Sequence, residues 1–237
     1  MPTGTLYVVA TPIGNLEDIT LRALRILKEV DFIAAEDTRH TLHLLRRHQI
    51  EKPLISYHQW NEAKRTAEFL DKLHAGQSIA LVSDAGTPGI SDPGARVIQA
   101  CIEVGVSVVP VPGASALITA LVASGLNTDE FRFIGFAPNK SSQRQRLLQS
   151  LASEVCTVVI YESPFRIMKF LEDARAILGE RRMVVARELT KKFEEILRGT
   201  PGEILKKLEG RSIKGEFTVI IADNKKPTAD SGYVADR

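Results

Sequence analysis

Short apolar runs alternate with segments of helical periodicity along most of the chain. Thr5 to Ala10, Phe32 to Ala35, Leu54 to Tyr57, Ser78 to Ser83 and Val106 to Val109 are each continuous stretches suited to burial on both faces, the pattern of strands in a parallel sheet. Between them Leu21, Leu24, Leu27 and Val30 recur at helical spacing, as do Ala63, Ala67, Leu70 and Leu73, and then Val97, Ile98 and Cys101. Each such helix can cover the sheet as a right-handed crossover.

A second series follows Gly113. It reads as a helix from Ala114 to Ala123, a strand from Phe131 to Phe136, a polar helix from Ser141 to Ala152 and a strand from Thr157 to Tyr161. Ser163 and Pro164 have the character of an N-cap and first turn, opening a helix that runs to Leu178 and stops at Gly179. Strands are predicted from Met183 to Glu188, Glu194 to Leu197 and Phe217 to Ala222, with Thr200-Pro201-Gly202-Glu203 as a capping box before an intervening helix. The expectation is an α/β protein of two domains, a Rossmann-like one over 1–113 with a parallel sheet and one over 114–222 with a mixed sheet. The polar tail from Asp223 to Arg237 is expected to be disordered.

With 237 residues, 44% of them apolar and 25% charged, the chain can bury a substantial core without metals or disulfides. The balance of 31 basic and 29 acidic side chains argues against a uniformly cationic coat for nucleic acid and leaves room for local patches. Cys101 and Cys156 each lie in a mainly apolar run and read as buried free thiols of a reducing cytosol. Pro12 and Gly14 interrupt the first apolar run, so no export signal is indicated. The uncharged stretch from Val104 to Thr128 is long enough to span a bilayer, but Pro110, Pro112 and Gly113 mark a loop inside it. A cytoplasmic protein that does not enter membranes is expected. Four of the five histidines fall between 40 and 58, but on a helix His48 is turned about 140° from His43, so three ligands do not converge and no metal site is expected.

Ligands of open α/β sheets bind beyond the carboxyl ends of the strands. After the first strand, Thr11-Pro12-Ile13-Gly14-Asn15 has one glycine where a dinucleotide fingerprint has three, and no Gly-Lys-Ser/Thr step exists for a P-loop. After the fourth, the run from Ser83 to Gly94 holds three glycines, two prolines and two carboxylates. It allows close backbone approach to a ligand with Asp84 as acceptor, while Asp92 before Pro93 reads as a helix start. After the fifth, Val111-Pro112-Gly113-Ala114-Ser115-Ala116 enters a helix through small residues. That serves either a ligand carboxylate or hydroxyl, or close packing of helix on sheet.

Taken together, Tyr7-Val8-Val9-Ala10-Thr11-Pro12-Ile13-Gly14-Asn15-Leu16, Ala34-Ala35-Glu36-Asp37-Thr38-Arg39-His40-Thr41 and Leu81-Val82-Ser83-Asp84-Ala85-Gly86-Thr87-Pro88 resemble the tetrapyrrole-methylase superfamily. More narrowly they resemble its ribosomal RNA small subunit methyltransferase I family, cytidine 2′-O-methyltransferases of 16S rRNA. Tyr161-Glu162-Ser163, Ala186-Arg187-Glu188-Leu189-Thr190-Lys191 and Gly215-Glu216-Phe217 extend the match to about residue 222. The resemblance implies the class III methyltransferase fold, a homodimer, and S-adenosylmethionine held in a cleft between two α/β domains. It sets the donor against Ile13, Asp84, Thr87, Ser115 and Ala116, with Ser163, Ala186 and Phe217 from the second domain. Family members often read His-Asp-His-Asn where this chain has His58-Gln59-Trp60-Asn61, and many continue into a helical extension past the last strand.

Methyl transfer to a ribose hydroxyl needs alignment and a base for the hydroxyl proton. Glu36, Asp37, His58 and Glu188 each lie at or just beyond a strand's carboxyl end. Asp37 and His58 are the preferred catalytic candidates, with Arg39 placing a phosphate or orienting a carboxylate; alternatively Asp37 caps the following helix and pairs with Arg39. Asn61 and Lys191 are further candidates for substrate contact. The pairs Arg46 and Arg47, Lys64 and Arg65, Arg144 and Arg146, and Lys191 and Lys192 suit RNA phosphates or an ordinary solvated face. Trp60 suits stacking on an unpaired base, or the core packing more usual for a lone tryptophan. The expected substrate is 16S rRNA or the small ribosomal subunit, without a metal. Rivals are a methylase of the same fold acting on a tetrapyrrole carbon, and a protein that binds donor or RNA without catalysis.

Overall fold

Five strands, β1 (Thr5–Val9), β2 (Phe32–Ala35), β3 (Leu54–Ser56), β4 (Ile79–Val82) and β5 (Ser107–Val111), pair wholly in parallel in the order β3-β2-β4-β1-β5. Helices α1 (Leu21–Glu29) and α2 (Thr38–Arg47) cover one face, and α3 (Glu62–His74) and α4 (Ala95–Glu103) the other. Alternation along β2 divides its side chains between them: Ile33 and Ala35 join the α1–α2 core, Phe32 and Ala34 the α3–α4 core. Each large apolar side chain so buried contributes about 1.5–3 kcal/mol, and every residue of β2 and β4 is buried. This computed structural model describes residues 3–224. The expected disordered tail lies, from residue 225 onward, outside the described residues.

Burial on both faces, expected for all five strands, holds for the centre of the sheet only. β3 and β5 are edge strands, and neither is fully buried. The edge position also lets Pro110 sit within β5, opposite Val8, where a loop was expected, because an edge strand need not donate on its open side.

The chain divides into two compact units, Met1–Ala116 and Leu117–Arg237. In the second, β6 (Phe131–Phe136), β7 (Thr157–Glu162), β8 (Met183–Arg187), β9 (Glu195–Gly199) and β10 (Phe217–Ile221) form a sheet of order β6-β7-β10-β8-β9. Only β6 and β7 pair in parallel, so the sheet is mixed, as expected. The helices α6 (Ser141–Leu151), α7 (Ile167–Leu178) and α8 (Pro201–Leu208) close its core over Val158, Ile160, Val185 and Val219. An apolar helix, α5 (Ala116–Ser124), stands at the division. No described helix is long and apolar enough to cross a membrane, and Cys101 and Cys156 are free and buried.

Three helix starts differ from expectation. α5 begins at Ala116 and not at Ala114. α4 begins at Ala95 after Gly94, whose φ of 147° and 3.0 Å clearance from Gly89 N leave no room for a side chain. Asp92 and Pro93 thus precede the helix, and Gly94 holds the N-cap position. α7 begins at Ile167, since Ser163 closes a turn in which its carbonyl accepts from the Arg166 and Ile167 amides. The capping box is present as expected: Glu203 N–H donates to Thr200 Oγ1 (3.3 Å) and Thr200 N–H to Glu203 Oε2 (2.8 Å). Thr200→Ala is expected to cost about 1 kcal/mol, read as a lower urea midpoint with an unchanged slope.

Candidate functional site

In the first unit the chain leaving β1 is stitched to the loop after β4. Thr11 N–H donates to Gly86 O (2.8 Å) and Gly86 N–H to Thr11 O (3.1 Å), while buried Thr11 Oγ1 donates to Ser83 O (3.0 Å). Gly86 reaches this position at a φ of 79°, which glycine adopts without strain. Ile13 Cγ2 lies 3.6 Å from where a Gly86 Cβ would stand, and a Cβ on Gly113 would press to 3.0 Å on Ala10 Cβ. The loops after β4, β1 and β5 are therefore in contact, and they bring Ile13, Asp84, Thr87, Ser115 and Ala116 to one edge of this unit. Ile13 is buried and the other four are half-buried.

Beside these loops the ends of β2, β3 and β4 carry the titratable groups. Asp37 N–H donates to Asp84 Oδ1 (3.0 Å), and the Asp84 amide donates in turn to the Glu36 carboxylate. Burial, then the charge of Asp84, pushes the Glu36 carboxyl up from its ordinary value. Asp37 goes the other way. Its Oδ1 caps α2 by accepting from Arg39 N–H (2.8 Å) and also takes Arg39 Nε (3.1 Å), while Oδ2 meets the guanidinium at 2.8 Å. Arg39 holds that carboxyl well below the usual carboxylate range.

The chain after β3 joins this group where Tyr57 N–H donates to Ala35 O (2.8 Å). His58 N–H donates to Asn61 Oδ1 (2.9 Å), and Asn61 Nδ2 donates to Ser56 O (3.2 Å) and stands 3.3 Å from His58 Nε2. With the amide nitrogen facing it, Nε2 is the acceptor, so in the neutral ring Nδ1 carries the proton. Nδ1 is buried and meets no partner among the described residues. Asn61 therefore holds His58 by both its backbone and its ring. Trp60, in the same turn, is 86% exposed and packs into no core.

In the second unit, register sets Phe217 opposite Glu162 and Arg187, which gathers Ser163, Ala186 and Phe217 at one end of the sheet. Ala186 and Phe217 are buried, and the Phe217 ring belongs to the core. The Ser163 turn is fixed by a wholly buried carboxylate: Glu162 Oε1 accepts from Ser163 N–H (2.7 Å) and from Arg166 (2.8 Å), and Arg166 Nε donates to Ser163 Oγ (3.1 Å). Lys191 Nζ is shared between Glu188 Oε1 and Glu216 Oε2, each at 2.9 Å. Its charge is thus matched twice before any phosphate arrives. For Glu188, burial is the largest single influence and would raise the carboxyl, but the Lys191 hydrogen bond, the Glu216 amide and the charges of Lys191 and Arg187 together outweigh it and the net shift is downward. Arg144, among the cations considered for RNA, is buried and paired with Asp173 at 2.6 Å. No cluster of three or more His, Cys, Asp or Glu suited to a metal occurs among the described residues.

The fold is that of methylases that act on tetrapyrroles. A uroporphyrin-III C-methyltransferase from Thermus thermophilus, solved in complex with S-adenyl homocysteine, matches with a TM-score of 0.63 at 19% identity, over 92% of this chain and 97% of that one. Residues 5–205 match the family of tetrapyrrole (corrin/porphyrin) methylases. Ribosomal RNA small subunit methyltransferase I of Synechocystis sp. is 56% identical over 220 residues, 92% of this chain and 79% of the relative. The protein of that name from Halalkalibacterium halodurans is 50% identical over 221 residues, 93% and 76% of the two chains. The chain belongs to the tetrapyrrole methylase family and, within it, to the ribosomal RNA small subunit methyltransferase I group.

The raised Glu36 carboxyl has a consequence for stability. A group whose folded pKa lies above its unfolded value stabilises the fold while protonated, and that contribution is lost as pH rises through the folded pKa. Glu36→Gln keeps the shape and the acceptor for the Asp84 amide but cannot ionise. It is expected to raise the urea midpoint at pH 8 and to leave it unchanged near pH 4; equal midpoints at pH 8 would contradict the assignment.

Proposed function

We propose that this protein transfers a methyl group from S-adenosylmethionine to the 2′-hydroxyl of a cytidine in 16S rRNA, in the small ribosomal subunit or its naked RNA. The observation that carries the reading is identity of 50% or more, over nine-tenths of the chain, to proteins named ribosomal RNA small subunit methyltransferase I. The donor is supported by the related uroporphyrin methyltransferase solved with S-adenyl homocysteine. The residues present fit such a group. The loops 10–15, 83–92 and 111–116 contain no lysine or arginine, are rich in glycine and alanine, and offer the Asp84 carboxylate. That is a lining for a cationic sulfonium ligand and not for a phosphate. Bound there, the donor supplies an electrophilic methyl carbon.

Ile13, Asp84, Thr87, Ser115 and Ala116 are the proposed donor contacts of the first unit. Ser163, Ala186 and Phe217 are those of the second, with Ser163 offering its turn and the buried pair limited to what their backbone and edges reach. The hydroxyl proton passes to Glu36, since Arg39 withdraws Asp37 from base chemistry and Asn61 occupies the His58 Nε2 lone pair. Asp37 then holds Arg39 for an RNA phosphate, His58 orients the acceptor, and Lys191 steadies Glu188. The working form is a cytoplasmic homodimer that uses no metal.

Mass spectrometry of 16S rRNA from cells with and without the gene is expected to show loss of one cytidine ribose methyl; unchanged rRNA, or transfer only to a tetrapyrrole, would overturn the reading. Asp84→Ala is expected to weaken donor binding by about tenfold or more, roughly 1.4 kcal/mol, as read by calorimetry. Glu36→Gln is expected to lower kcat by about 10²–10⁴ with donor affinity unchanged.

A further inference from the structure

The two faces of the first unit carry very different charge. α1 and α2, packed on one face through Ala23, Ile26, Leu27 and Leu45, bear six cations, Arg22, Arg25, Lys28, Arg39, Arg46 and Arg47, against one carboxylate, Glu29. α3 and α4 on the opposite face bear four of each. All six cations are exposed, as are His40 and His43 on α2. Arg25 pairs with Glu29 and Arg39 with Asp37. No carboxylate pairs with Arg22, Lys28, Arg46 or Arg47 among the described residues.

Helix polarity explains part of this, because cations near a carboxyl terminus interact favourably with the helix dipole. It does not explain the missing carboxylates: α3 also ends on basic residues, Lys72 and His74, yet balances its cations with Glu62, Glu68 and Asp71. In a chain with a net charge of only +2, a face whose helices carry six exposed cations against one carboxylate has the electrostatic footprint of a polyanion site. The face is also continuous with the carboxylate cluster. α2 starts directly after Asp37, and Arg39 in its first turn lies about 12 Å along the axis from Arg47 in its last.

We infer that the α1–α2 face of the first unit is where the sugar–phosphate backbone of the RNA substrate lies, with Arg22, Lys28, Arg46 and Arg47 as phosphate contacts. Such contacts set the register and orientation of the strand while the loops at the sheet's carboxyl edge take the target nucleotide. The inference rests on the reading of the protein as an rRNA methyltransferase and adds the surface that reading lacks.

Two double charge reversals test it in the full chain, Arg46→Glu with Arg47→Glu, and Arg22→Glu with Lys28→Glu. A matched pair on the balanced face, Lys72→Glu with Arg96→Glu, serves as control. Binding of a 16S rRNA fragment is followed by filter retention across a salt series, methyl transfer on unmethylated small subunits, and association state by light scattering. Each α1–α2 pair is expected to raise the RNA Kd about tenfold or more at 0.1 M salt and to reduce the slope of log K against log salt by about one to two. KM for the subunit rises while kcat and donor affinity hold, and the control stays within about twofold of the parent, because only one face neutralises RNA phosphates. An unchanged slope, equal losses from both faces, or losses that track dissociation of an oligomer would each overturn the inference. Absence of transfer by the parent enzyme would instead overturn the function, and the binding series would still decide where RNA lies.

Discussion

The exchange of backbone hydrogen bonds between Thr11 and Gly86 governs what the first unit can bind. Parallel strands end in loops whose amides and carbonyls must find partners, and side chains are the common way to supply them. Here the loops after β1 and β4 satisfy each other, with Thr11 Oγ1 adding Ser83 O. Gly86 at positive φ makes the approach possible, and Gly113 brings the loop after β5 against Ala10 in the same manner. Because backbone closes the structure, no long or cationic side chain is needed at the edge. A lining of backbone, small side chains and the Asp84 carboxylate results, suited to a cationic ligand and unsuited to phosphates.

The same economy separates three neighbouring carboxylates. Asp84 accepts the amide of Asp37 and donates its own amide to Glu36, so one residue fixes both members of a consecutive pair. Burial and the Asp84 charge raise Glu36, while Arg39 lowers Asp37. Environment alone thus gives adjacent residues opposite protonation behaviour, the usual way in which one site obtains both a proton acceptor and a permanent charge. His58 is near enough to Glu36 for its charge to act on that carboxyl, and its ring direction is set by Asn61.

The alternation of apolar runs and helical stripes was enough to reveal the succession of strands and helices along the chain and the parallel and mixed character of the two sheets. It did not reveal which strands lie at the edges, since edge position is a property of pairing, and Ser56 in β3 with Ser107 and Pro110 in β5, against wholly apolar β2 and β4, is only a weak sign of it. The start of α7 was hidden because Ser163 and Pro164 have ideal capping character, whereas the buried Glu162 carboxylate and Arg166 recruit Ser163 into a turn. Loop motifs marked the site as a region, with Asp37 and Arg39 two residues apart already signalling a cap and pair. The raised Glu36 carboxyl depends on burial and then on Asp84, 47 residues beyond Asp37, and local sequence carries no trace of either.

Net charge was the least informative number because the cations do different work. In the second unit Arg144 neutralises half-buried Asp173, Arg166 neutralises buried Glu162, and Lys191 joins two glutamates. Arg181 donates to the carbonyls of Leu151, Ala152, Glu154 and Ala222 and so closes a loop with its guanidinium. These charges are consumed internally, where they satisfy groups that would otherwise be orphaned. On α1 and α2 the cations face solvent with one carboxylate among them. A field at the surface depends on charge that is left unmatched, so a nearly neutral chain can still present a polyanion with one strongly basic face.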